Sequence, residues 1–103
     1  MTNTEFHQLA EELLEHIETE IEQQELDVDM DNDGNVLTIE FNNGTHIVIN
    51  KQEPLHQVWL ATKFNGHHFL YQNGQWFDER NQIFFAPCLI DAFLRQGELE
   101  FTL

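Results

Sequence analysis

Up to Ile21 the apolar residues recur at spacings of three and four, and from Leu26 onward at every second position. This change of period constrains the fold more than any other feature, because one repeat buries a helix stripe and the other buries one face of a strand. Phe6, Leu9, Ala10, Leu13, Ile17 and Ile21 form the helical set. Ahead of them Thr2-Asn3-Thr4-Glu5 has the T-x-x-E form of a capping box, with Thr2 as N-cap. At about 100° per residue, His7, Glu11, Glu15, Glu18, Glu22 and Glu25 fall on one stripe roughly opposite the oily one. Like charges at i,i+4 cost about 0.2–0.5 kcal/mol per pair, so burial of the oily face is the expected compensation.

After the switch, Leu26, Val28 and Met30 alternate with Asp27, Asp29 and Asp31, the pattern of a strand with one wet face. Asp33-Gly34, Asn43-Gly44, Asn65-Gly66 and Asn73-Gly74 read as hairpin turns between apolar runs at 36–41, 45–50, 56–63, 67–72 and 75–79. With the acidic segment these make six strands. A second helix is expected over about 86–96, with Pro87 in its first turn, Leu89, Phe93 and Leu94 inward, Arg95 in its last turn and Gly97 closing it. Helix, strands, helix implies one α+β domain over 1–103: two helices packed on one face of an antiparallel meander of about five to six strands.

Nineteen acids oppose four bases, giving a formal net charge of −15, and no Lys or Arg precedes Lys51. High charge with low hydrophobicity predicts disorder, but nine Phe, two Trp and many aliphatic residues oppose that here. A negative field disfavours nucleic acid and anionic membranes and favours cations and basic protein surfaces. No apolar run approaches the ~20 residues of a membrane span. Cys88 is the only cysteine and the N-terminus lacks the basic and apolar regions of a signal peptide, so a cytoplasmic location is expected. No Cys–His cluster, helical His pair or Gly-rich phosphate loop appears, so no catalytic residue is assigned and the chain is not expected to be an enzyme.

From Asn50 to Lys63 the chain reads NKQEPLHQVWLATK, and this stretch closely resembles the bacterial frataxin (CyaY) family. Glu5-Phe6-His7, Val36 to Ile39, Gly44, Ile47 to Asn50, His68-Phe69 and Trp76 extend the resemblance over about residues 3–96. Phe85-Ala86-Pro87-Cys88 departs from the Phe-Trp-Asp-Leu-like opening of the family's second helix. The resemblance implies a non-catalytic, iron-binding regulator of iron–sulfur cluster assembly that contacts the cysteine desulfurase and scaffold machinery. The family's iron-binding ridge corresponds here to Glu18, Glu20, Glu22, Glu25, Asp27, Asp29 and Asp31.

Strand residues two apart lie roughly 6.5–7 Å from each other on one face, so Asp27, Asp29 and Asp31 form a ladder beside the end of the helix stripe. Such carboxylates share hydrated cations but do not enclose them. Oxygen ligands suit Mg²⁺, Ca²⁺, Mn²⁺ and, by extension, ferric iron and lanthanides, with weak, exchangeable binding; iron (Fe²⁺/Fe³⁺) as the ion is what the family resemblance implies. His7 and Glu11, one turn apart, form a separate candidate pair for borderline metals, and the chain is expected to be monomeric when metal-free. Two alternatives stand. Asp29-x-Asp31-x-Asp33-Gly34-x₅-Glu40 fits the EF-hand calcium loop, although the flanking segments alternate like strands. An acidic protein-interaction domain without metal function is the other.

Alternation places Trp59 on the uncovered sheet face near Asn50, Gln52 and Gln57, an arrangement suited to a binding hot spot. The family resemblance implies that this face meets the assembly partners, and Trp76 is expected to join it.

Overall fold

The computed structural model describes residues 1–103. Helix α1 (Asn3–Gln23) is followed by strands β1 (Val28–Asn32), β2 (Val36–Phe41) and β3 (His46–Gln52), a 3-10 turn (Glu53–Leu55), β4 (Gln57–Ala61), β5 (Gly66–Gln72), β6 (Gln75–Asp78), β7 (Ile83–Phe84) and helix α2 (Phe85–Gly97). Every strand pairs antiparallel with its sequence neighbour, so the sheet runs β1 to β7 in chain order. The meander has seven strands, one more than the alternation predicts. Ile83–Phe84 is too short to show a period of two.

The capping box is formed. The Thr2 hydroxyl accepts the Glu5 N–H at 3.1 Å, and the Glu5 carboxylate accepts the Thr2 N–H at 3.2 Å. Bonds to the carboxylate itself, from the Thr2 backbone first and its hydroxyl second, hold the Glu5 carboxyl below its usual range. Phe6, Ala10, Leu14, Ile17 and Ile21 line the buried face of α1, while Leu9 and Leu13 lie half-buried on its flank. At the first hairpin the Asp33 carboxylate accepts the Asn35 and Val36 N–H groups, leaving Gly34 at φ +100°. Only glycine adopts that conformation without strain.

In β2 to β5 the inward residues are Leu37, Ile39 and Phe41, then Ile47 and Ile49, Val58 and Leu60, and Phe69, all buried beneath the helices. Val28 and Met30 pair with Phe41 and Ile39 and therefore share the covered face. Asp29 and Asp31 pair with Glu40 and Thr38 and share the bare one.

Helix α2 differs from expectation in three places. It begins at Phe85, which is buried; Pro87 sits in the first turn, where a backbone N–H has no intrahelical partner to lose. Leu94 points to solvent at 54% exposure, and Ala92 and Cys88 take the inward positions beside Leu89 and Phe93. Gly97 does not close the helix. Glu98 does, in the left-handed conformation; Gly97 stays within the helix, and the Phe41 ring fills the space that a Cβ there would take.

Candidate functional site

The acidic edge is built from two elements, α1 and β1. Glu11, Glu15, Glu18 and Glu22 run along the flank of α1 next to the sheet edge, whereas Asp29 and Asp31 stand on the bare face of β1. The Asn32 amide bridges the two elements by donating to Glu18, and Asn42 donates to Asp27 at 2.6 Å. Glu22, Glu25, Asp27, Asp29 and Asp31 are exposed, and Glu18 and Glu20 are half-buried. Two of the ridge candidates lie off the helix stripe. Glu25 follows the helix end in a left-handed conformation at φ 54°. Glu20 lies about 200° around the axis from Glu18, on the flank that carries Leu13. No three His, Cys, Asp or Glu side chains come together closely enough to hold a metal ion. The edge therefore suits cations that keep most of their water and bridge one or two carboxylates, and it does not suit an enclosed ion.

His7 and Glu11 do not pair with each other. The His7 imidazole meets Glu53 of the 3-10 turn. Glu11 lies 3.6 Å from Lys51, whose ammonium also donates to the Gly34 carbonyl at 2.8 Å. The first basic residue in the sequence thus folds back onto the upper end of the acid stripe and leaves the lower end without a cation. The EF-hand reading is overturned. Asp29 and Glu40 are register partners across the β1–β2 hairpin, and no helix flanks the turn on either side.

On the bare face Asn50, Trp59 and His68 are cross-strand neighbours, as are Gln52 and Gln57. Trp59 is half-buried among them, as alternation predicts. Trp76 is not with them. It is 7% exposed, packs edge-on to Phe6 and Tyr71 and belongs to the core. Its partner across β5–β6 is Tyr71, and that row faces the helices. The pattern reading also missed His68, whose ring lies flat against the Trp59 indole.

Two titratable groups, Asp78 of β6 and Cys88 of α2, are structural. Asp78 is 2% exposed; burial disfavours its ionised form, but bonds from the Asn81 side chain and N–H, His67 and the Arg80 N–H outweigh that and hold its carboxyl below the usual range. Burial pushes the Cys88 thiol up to about 11, helped by the charges of Asp78 and Asp91. A thiol this basic and covered makes a poor nucleophile. Cys88 should therefore react with a disulfide reagent at mildly alkaline pH at least about a hundredfold more slowly than the same residue in denaturant. Equal rates in a thiol titration would show that the site opens freely.

Fold and surfaces together define a small α/β sandwich with its chemistry displayed outside the core, on an acid edge and an amide-and-aromatic sheet face. The profile of the family described as "Frataxin-like domain" matches residues 1–98, and the chain belongs to that family. An "Iron-sulfur cluster assembly protein CyaY" of Shewanella sp. strain W3-18-1 is 51% identical over 106 residues, covering 99% of this chain and 97% of the relative. A protein of the same description from Shewanella sp. strain ANA-3 is 54% identical over 101 residues, covering 94% and 93%. The solved structure of frataxin from Psychromonas ingrahamii superposes with a TM-score of 0.94 at 47% identity, covering 99% of this chain and 97% of that one. No helix is long and apolar enough to cross a membrane.

Proposed function

We propose that this chain acts in iron–sulfur cluster assembly, as its relatives' names describe them, in the role of a non-catalytic iron-binding regulator that docks on a cysteine desulfurase in the cytoplasm. One observation carries the reading. From Glu15 to Asp31 the exposed carboxylates have no Lys or Arg beside them, and the only base that reaches the stripe stops at Glu11. Self-repulsion of that kind is relieved by a cation, by a basic protein surface or by both. Iron is here an exchangeable cargo. The separated Glu18, Glu22, Asp27, Asp29 and Asp31 suit hydrated ions, and Mn²⁺, Ca²⁺ or lanthanides should compete for the same oxygens.

Replacing Glu18, Glu22, Asp27 and Asp29 by lysine should weaken desulfurase binding at least about tenfold at low salt, with the wild-type affinity itself falling as salt rises. All four side chains lie outside the core, so the variant should keep its fold. Mn²⁺ should broaden amide NMR signals of residues 18–31 in the wild type and not in the variant. Unchanged desulfurase affinity in a folded variant would falsify the docking surface. Docking without localised broadening would leave a purely electrostatic partner protein and remove iron from the account.

A further inference from the structure

A short row of ligating side chains crosses the sheet beside the β2–β3 turn. Ile39, Phe41 and Ile47 are buried, so Glu40 and His46 stand on the bare face. They are register partners, and Asp29 of β1 pairs with Glu40 on its other side. The Phe41 N–H donates to the Thr45 carbonyl at 2.9 Å. Glu40 and His46 are therefore the next, non-hydrogen-bonded pair, the kind whose side chains approach most closely. Nε2 of His46 lies 3.4 Å from Oε2 of Glu40, with 49% and 45% of the two side chains exposed. A charge-assisted hydrogen bond is shorter, about 2.7–2.9 Å.

The spacing is that of two ligands on one tetrahedral ion. A nitrogen and an oxygen each about 2.0–2.2 Å from zinc, at a tetrahedral angle, stand about 3.4 Å apart; at the right angle of an octahedral ion they stand about 3.0 Å apart. We infer that His46 and Glu40 form a chelating pair for a borderline divalent cation, Zn²⁺ fitting best, at a site separate from the carboxylates of α1. No third His, Cys, Asp or Glu converges on them, so water fills the remaining positions and the ion exchanges readily. Asp29 adds negative charge to the row. Like charges directly opposite each other in a sheet repel, and a cation beside Glu40 relieves that repulsion. The imidazole nitrogen sets this pair apart from the acidic edge, because Zn²⁺ gains from it and the hard ions Ca²⁺ and Mg²⁺ do not. Two other histidine–carboxylate contacts lack this opening. His7 is already hydrogen-bonded to Glu53, and His67 is bonded to a buried Asp78 at 3.0 Å.

The test titrates Zn²⁺ into the full chain carrying ¹⁵N-labelled histidine, with excess Ca²⁺ present to occupy the all-oxygen sites. Imidazole ¹⁵N signals report each histidine separately. Nε2 of His46 should respond first and saturate. Glu40→Gln should weaken that response at least about tenfold. Asp29→Asn, which removes only charge from the row, should weaken it about two- to fivefold. His46→Gln should abolish binding over the same Zn²⁺ range. The three side chains lie outside the core, so the variants should keep their fold. Zinc that moves His7 or His56 first and leaves His46 unmoved overturns the site. Equal affinity in Glu40→Gln overturns the chelate and leaves a surface ion pair only. Displacement of zinc from His46 by the excess Ca²⁺ does the same, because the nitrogen would then confer no preference.

Discussion

Replacing Gly97 by alanine is expected to lower the melting temperature by roughly 10–20 °C, a cost of about 2–3 kcal/mol at the 4–8 °C per kcal/mol typical of a domain near this size. A methyl group built on Gly97 would sit 2.3 Å from Cδ1 and 2.4 Å from Cε1 of Phe41. Those distances are well inside van der Waals contact, so one side must move. Phe41 has little room to do so. It is 3% exposed, it packs edge-on to Phe93 at 5.2 Å, and Phe93 stacks on Phe101 at 4.5 Å. Alanine's helix propensity offsets about 1 kcal/mol of the strain and does not reverse its sign. Thermal unfolding followed by circular dichroism measures the loss. Gly97→Ala combined with Phe41→Leu, which removes the obstructing ring, should lose less than Phe41→Leu and Gly97→Ala added together, because the two sites share one volume. An unperturbed melting temperature for Gly97→Ala would mean that α2 does not approach β2 this closely.

Gly97 also illustrates what the chain's pattern conveys and what it does not. A glycine just past an apolar helical repeat reads as a helix stop, and the stop is nearby; but the reason for glycine is a ring 56 residues earlier in the chain. Local chemistry was legible in this way throughout. The Thr2–Glu5 cap, the Asp33-Gly34 turn and the alternation that puts Trp59 on the bare face all depend on neighbours within a few residues. Register across a hairpin is less secure. Asn65-Gly66 looks like the centre of a turn, which would pair Trp59 with Gln72. The actual turn spans Thr62 to Asn65, where the Thr62 hydroxyl accepts the Phe64 and Asn65 N–H groups, and Trp59 meets His68 instead. Trp76 was misplaced for a related reason. The Asn73-Gly74 turn sets Trp76 opposite Tyr71, and only knowing that Phe69 is inside tells which face that row takes.

The acidic edge was legible as composition and not as geometry. Counting carboxylates from Glu11 to Asp31 gives their number and their lack of local cations, but not that β1 stands between the helix stripe and the aspartate ladder. Nor does it reveal that Lys51 returns to Glu11 or that His7 turns to Glu53, contacts between residues 40 and 46 positions apart. The consequence for function is specific. Under the proposed function, cations taken up at Glu18 and Glu22 and at Asp29 and Asp31 would occupy two strips on opposite sides of the β1 backbone. Under that function, iron held at the Glu18 and Glu22 strip should leave the bare sheet face free for a protein.

Replacing Asp78 by alanine is expected to cost about 1–3 kcal/mol, because it removes the acceptor of four part-buried hydrogen bonds. One carboxylate oxygen accepts the Arg80 and Asn81 N–H groups at 3.0 and 3.1 Å; the other accepts from the Asn81 amide at 2.6 Å and from the His67 ring at 3.0 Å. Together they hold the turn that returns the chain to β7. Asp78→Asn keeps the size and one acceptor oxygen, so it should cost less than Asp78→Ala. It also isolates the ionisation. The unfolded chain titrates this group near the ordinary value of 3.8, and in the folded protein its carboxyl lies lower. The stabilisation due to ionisation is therefore complete above 3.8 and is lost as pH falls through the lower folded value. Urea unfolding of wild type and Asp78→Asn should show their widest gap near neutral pH, with the gap closing on the acid side of 3.8. The other carboxylates titrate in both proteins and drop out of the difference. A gap that stays constant down to the acid limit would mean that Asp78 contributes only its shape, and the four bonds would then have to be counted as those of a neutral group.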